Sequence, residues 1–114
     1  MNYFSKEELS CSCCGEYATP DWVLDALNKF REMVGGPVVI NSAYRCPSHN
    51  KNVGGAKNSM HLKGIAFDVR IDGRDIKRLV EYAYKCGANG VGLYDTFIHI
   101  DFREKETLWD NRTK

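Results

Sequence analysis

Apolar residues recur along this chain at two spacings, and the switches between them mark out its elements. From Ala18 to Gly36, Trp22, Val23, Ala26, Leu27, Phe30, Met33 and Val34 follow a 3.6-residue period, which predicts an amphipathic helix with that stripe on the core. Its ends are marked too, with Thr19 as N-cap, Pro20 in the first helical position, Asp21 in the first turn and Gly35-Gly36 as the stop. The β-branched run 37–44 reads as a short strand that delivers Arg45 at its end. Residues 45–61 then turn to Pro, Asn, Ser, Gly and Lys, the composition of a surface loop or of a short helix and loop. A loop that long inside a compact domain usually has a job.

The period then becomes two. In 64–71, Ile65, Phe67 and Val69 share one face and Ala66, Asp68 and Arg70 the other. Residues 72–90 return to helical spacing, with Ile76, Leu79, Val80 and Ala83 inward and Gly87 near the C-terminus. Residues 90–103 read as a hairpin turning near Asp95-Thr96, whose second strand puts Ile98, Ile100 and Phe102 on one face and His99, Asp101 and Arg103 on the other. The expectation is α+β: helices on one side of a mainly antiparallel sheet, with a polar cleft on the opposite side.

Composition narrows the class. At 114 residues the chain holds one hydrophobic core, and 43% apolar with 27% charged residues is the profile of a folded domain rather than a disordered one. A formal charge of +1 without a basic run argues against nucleic acid as the main partner. Residues 1–10 show no apolar stretch behind a basic start, and nothing approaches a membrane span, so the expectation is a protein left in the cytosol on synthesis, monomeric, without membrane insertion. Five cysteines without an export signal suggest reduced thiols. Cys11, Cys13 and Cys14 crowd into one short run, either a fragment of a zinc knuckle completed by Cys46 or Cys86, or small buried side chains.

Candidate chemistry sits on the polar faces. His61 enters from the loop, Asp68 from one strand and His99 from another, three ligands that leave a fourth position open, as in catalytic rather than structural zinc. Gly64 fits a sharp turn between His61 and the strand. The plainer alternative is a hydrogen-bonded histidine and a solvent-facing aspartate with no metal.

The residues Ser42-x-x-Arg45, Val53-Gly54-Gly55, Ser59-x-His61-x-x-Gly64-x-Ala66-x-Asp68 and His99-x-Asp101-x-Arg103 together resemble the zinc D-Ala-D-Ala carboxypeptidases, peptidase family M15, in particular its small phage and prophage members. The likeness covers roughly 37–103, with 1–18 as a cysteine-bearing lead within one domain of 114 residues. It implies a hedgehog/DD-peptidase-like fold with one catalytic Zn2+ on His61, Asp68 and His99. It also implies Arg45 facing the substrate, as oxyanion stabiliser or carboxylate holder, and Ser59 contacting substrate or orienting His61. The implied activity is hydrolysis of peptidoglycan stem peptides, as a D,D-carboxypeptidase or an endopeptidase such as one acting on L-Ala-D-Glu, in cell-wall lysis after release through a holin.

Family members place the general base as an acid three residues before the last histidine ligand or a histidine two before it; here those positions hold Thr96 and Phe97. Asp101, on the same strand face as His99, is the candidate base, with Asp95 behind it. Asp101 could instead fix an imidazole or pair with Arg103, or the roles of Asp101 and His99 could be exchanged. His49 is read as loop structure. Two rivals belong to other classes: a non-catalytic binding module of the same fold, comparable to hedgehog signalling domains, and a redox or metal-storage protein built on the cysteines.

Overall fold

The two alternating segments become the centre of a five-stranded sheet. The computed structural model describes residues 3–55 and 59–113. Helix α1 (Lys6–Leu9) and helix α2 (Asp21–Val34) lead into strand β1 (Ile40–Ser42), helix α3 (Pro47–Asn52) and a 3-10 turn (Met60–Lys63). Strand β2 (Ala66–Arg70), helix α4 (Ile76–Lys85) and strands β3 (Gly90–Leu93), β4 (Phe97–Asp101) and β5 (Thr107–Asp110) complete the order. The strands lie β1-β2-β4-β3-β5, antiparallel throughout except for the parallel pair β3 and β5. This is the expected α+β architecture.

Alternation divides the sheet by chemistry. Phe67, Val69, Val91, Ile98 and Ile100 are fully buried against Val23, Leu27, Phe30, Leu79 and Ala83 of α2 and α4. Each such side chain contributes roughly 1.5–3 kcal/mol through removal from water. Asp68, His99 and Asp101 occupy the opposite face. The β3–β4 hairpin closes where expected, with Tyr94 N–H bonding the Phe97 carbonyl at 3.1 Å across Asp95-Thr96.

Three local expectations shift. Helix α2 starts one residue late: Pro20 has extended backbone and is the N-cap, while buried Thr19 Oγ1 makes no hydrogen bond among the described residues. Its C-terminus is as read, at Gly35 in the left-handed region, whose N–H bonds the Arg31 carbonyl at 3.1 Å. Trp22 belongs to the periodic stripe yet is 59% exposed, with its indole edge-on to Phe102 at 6.0 Å. Strand β5 and helix α1 carry too few residues to show a period.

Candidate metal centre

Strand register brings two of the three expected ligands together. Asp68 of β2 lies directly opposite His99 of β4, and Asp68 Oδ1 is 3.1 Å from His99 Nδ1. His61 arrives from the 3-10 turn, started by Ser59, whose Oγ accepts the His61 N–H at 3.2 Å, and closed by Gly64 at φ 74°. Only glycine suits that closure, since a Cβ there would collide with the Ala18 carbonyl. The turn sets His61 Nε2 3.3 Å from the same Asp68 oxygen, with the imidazole rings 5.1 Å apart. All three side chains are buried, and one donor atom from each lies within 4.8 Å of the others.

The far side of each ring fixes which nitrogen faces inward. His61 Nδ1 is 2.6 Å from the Ala43 carbonyl, which only accepts, so Nδ1 carries the proton and Nε2 presents its lone pair. His99 Nε2 is 2.7 Å from Asp101 Oδ2. Asp101 is wholly buried, and Arg103 holds it through Nη2 at 2.6 Å, Nε at 2.8 Å and backbone N–H at 3.1 Å. Burial alone would raise the Asp101 carboxyl, but Arg103 and His99 outweigh it and hold it well below the usual carboxylate range. An ionised Asp101 only accepts, so His99 Nε2 donates and Nδ1 turns its lone pair toward Asp68.

Three electron-pair donors thus converge on one point, an arrangement that calls for a cation or an added proton between them. The metal-free charges say the same. Burial opposes ionisation of Asp68, yet its hydrogen bonds to His61 and His99 keep its carboxyl far below normal; burial opposes charging of His99, yet Asp101 and Asp68 raise its pKa above 6.5. Two imidazoles with their outer N–H groups satisfied, plus one carboxylate, fit a tetrahedral divalent ion with a vacant place.

Around these donors lies a cleft of about 420 Å³, also lined by Arg45, Ser59, Tyr94, Arg103 and Trp109. Arg45 gives one N–H each to Ser42 Oγ at 3.1 Å, Asn50 Oδ1 at 3.1 Å and Asp68 Oδ2 at 3.3 Å. A guanidinium carries five, so among the described residues two have no partner and face the cleft. Trp109 sits 5.1 Å from the His99 ring and donates Nε1–H to Tyr94 Oη at 3.0 Å. Room for these groups comes from β3: a Cβ at Gly92 would enter the Trp109 indole, and one at Gly90 would enter the Asp101 carboxylate.

His61, Asp68, His99, Arg45 and Ser59 therefore meet in one cleft. Asp101 does not line the cleft; its oxygens bond His99 and Arg103 on the far side of the ring, the placement that goes with the alternative in which it fixes an imidazole. The exchanged assignment is likewise disfavoured, because His99 rather than Asp101 faces His61 and Asp68. Asp95 is exposed and holds Thr113 at 2.7 and 2.8 Å, outside the cleft. His49 lies in α3, with Nε2 3.2 Å from Ser12 Oγ. Sequence reasoning missed buried Asn50, Tyr94 and Trp109; two alternate glycines on a strand beside a metal-capable one were the available sign that bulky groups approach there.

The cysteines divide differently than expected. Cys13 and Cys14 are exposed, so they are not small core side chains, whereas Cys11 is buried and Cys46 half-buried. Burial would raise the Cys11 thiol, but N–H groups of Cys46, Cys14 and Cys13 outweigh it and bring it down to about 7. Cys86 stands apart, its thiol bonded to the Ala83 carbonyl at 3.1 Å and pushed up to about 11 by burial.

Known proteins are similar to this chain in sequence. The peptidoglycan L,D-endopeptidase MepK of Escherichia coli strain K12 is 34% identical over 88 residues, covering 69% of this chain and 48% of its own. MepK of Shigella flexneri matches to the same extent. A probable peptidoglycan L,D-endopeptidase MepK of Haemophilus influenzae is 42% identical over 65 residues, 51% of this chain and 35% of its own. The chain spans about half the length of the E. coli relative or less. The family model described as Peptidase M15 matches residues 2–101, nearly the whole chain, and with the convergent donors above it shows that this protein belongs to the peptidase M15 family.

Proposed function

We propose that this domain is a zinc peptidase that hydrolyses amide bonds in peptidoglycan stem peptides, acting within the peptide at a bond between an L- and a D-residue. The observation that carries this reading is the convergence of His61 Nε2, Asp68 Oδ1 and His99 Nδ1, each histidine with its outer nitrogen already bonded, at the floor of an open cleft. Family membership supports a peptidase, and the names of the relatives support the peptidoglycan substrate and the L,D bond.

His61, Asp68 and His99 would hold the zinc, which would supply a Lewis acid able to polarise a carbonyl and acidify a water. Asp101, itself held by Arg103, keeps the His99 proton on Nε2 so that Nδ1 stays available, and the Ala43 carbonyl does the same for His61 Nε2. Arg45, pinned by Ser42, Asn50 and Asp68, directs its remaining N–H groups at the oxygen on which charge develops or at a peptide carboxylate. Tyr94 Oη, accepting from Trp109, is left to donate its own hydrogen into the cleft.

One observation favours the non-catalytic reading: among the described residues lining the cleft, Asp68 is the sole carboxylate, so no second acid stands ready to take a proton. Incubating the zinc-loaded chain with purified muropeptides separates the two. New amino termini on D-residues in the mass spectrum support the peptidase. Intact peptides, with His61→Ala holding one zinc fewer than wild type, would establish a binding module instead.

A further inference from the structure

The cysteine run left unused by this chemistry is drawn together by the fold. Cys11 and Cys14 stand in C-x-x-C spacing followed by Gly15, and the run closes into a knuckle: Gly15 N–H bonds the Cys11 carbonyl at 2.7 Å, and Cys11 N–H bonds the Glu16 carbonyl at 2.8 Å. Gly15 sits at φ 73°, the left-handed backbone that lets the turn come back on itself. Against this knuckle lies Cys46, 35 residues from Cys11, at the start of α3. One sulfur from each of Cys11, Cys14 and Cys46 lies within 4.8 Å of the others. Sulfurs sharing one zinc at about 2.3 Å stand roughly 3.8 Å apart, so modest side-chain rotation closes the set.

Two of the three sulfurs are also placed as thiolates are. Cys46 N–H points at Cys11 Sγ and His49 N–H at Cys46 Sγ, both at 3.4 Å. Sulfur is a weak acceptor as a thiol and a much better one when ionised.

We propose that Cys11, Cys14 and Cys46 bind a second, structural metal ion of thiophilic character, with zinc the natural occupant, separate from the histidine-carboxylate centre and independent of the peptidase reading. Cys13, exposed on the same turn, stands outside that group of three, and the fourth coordination position is open to solvent or to its thiol after rotation. No electrons move: each thiol releases its proton as the ion binds. The ion ties the N-terminal segment to the loop that begins with Arg45; among the described residues one backbone bond, Tyr44 N–H to the Leu9 carbonyl at 3.4 Å, joins that segment to the residue just before the loop.

The test uses the reduced full-length chain and Co2+ alone as probe, with zinc counted by elemental analysis in parallel. The expected result is two ions per chain and a sulfur-to-cobalt charge-transfer absorption that persists in His61→Ala. In Cys14→Ser, an exposed position where folding is safe, the count falls to one and that absorption is lost. Cys46→Ser should behave alike, and His61→Ala combined with Cys14→Ser should bind none. One ion per wild-type chain with no sulfur absorption overturns the proposal. So does an unchanged count in Cys14→Ser, or a disulfide among these cysteines in the protein as purified.

Discussion

The two clusters of soft and borderline donors are built on different supports. His99 and Asp68 face each other across paired strands, where backbone register fixes them, and His61 stands on a turn bonded at both ends. Cys11, Cys14 and Cys46 lie in loops and on the cap of a six-residue helix, with sulfurs oriented by single N–H contacts. A site held by a sheet exists before its ion arrives. A site held by loops is completed by it. The first ion should therefore govern chemistry with little effect on folding, and the second should govern stability with little effect on chemistry.

The largest contrast is expected from His61→Ala or Asp68→Ala against Cys14→Ser. The former should drop muropeptide cleavage to background with the smaller loss of melting temperature, and the latter should lower the melting temperature by several degrees while cleavage stays within a few-fold. Equal melting losses from both would erase the distinction. Arg45→Ala should come next, with kcat/KM falling about 10²- to 10³-fold at full metal content, the scale for removing a donor to a developing oxyanion. A loss of metal instead would mean that Arg45 serves Asp68 rather than substrate.

Asp101→Asn should weaken zinc affinity about 10- to 100-fold, the range for groups that orient a metal-binding histidine, measured by competition with a chromophoric chelator. Unchanged affinity with turnover abolished would restore Asp101 as the base.

The smallest effect concerns pH and changes sign with the ion. His99 has its pKa raised above 6.5 by Asp101 and Asp68 despite burial, so in the metal-free protein its charge contributes stability that is fully present below pH 6.5 and lost as pH rises through the folded value. With zinc bound the proton is excluded, and acidification through the same range should release the ion and lower stability. Melting curves of both forms across pH 5.5–8.5 should slope in opposite directions; parallel slopes would show that His99 does not bind the ion.

Much of the site was legible because period-two alternation assigns faces: once 64–71 and 97–103 are strands, Asp68 and His99 share one side whatever the register. Alternation says nothing of what lies behind a side chain. Asp101 reads as a free acid beside His99, and only the fold shows Arg103 closing over it and bare β3 making room. Parallel edge strand β5 was invisible because its four residues, Thr107–Asp110, follow a polar run and alternate only once. The start of α2 was misplaced by a single residue because Thr19 and Pro20 both suit a helix entrance.

Gly90 and Gly92 lie beneath the cleft rather than in it, and no bound peptide need reach them. Yet even an alanine at either would push on the clamp behind the ring or on the indole beside it. In a saturation mutagenesis survey these two positions should be as intolerant as the ligands themselves, and adaptation toward other substrates would have to proceed through the surrounding loops while that bare strip of strand stays unchanged.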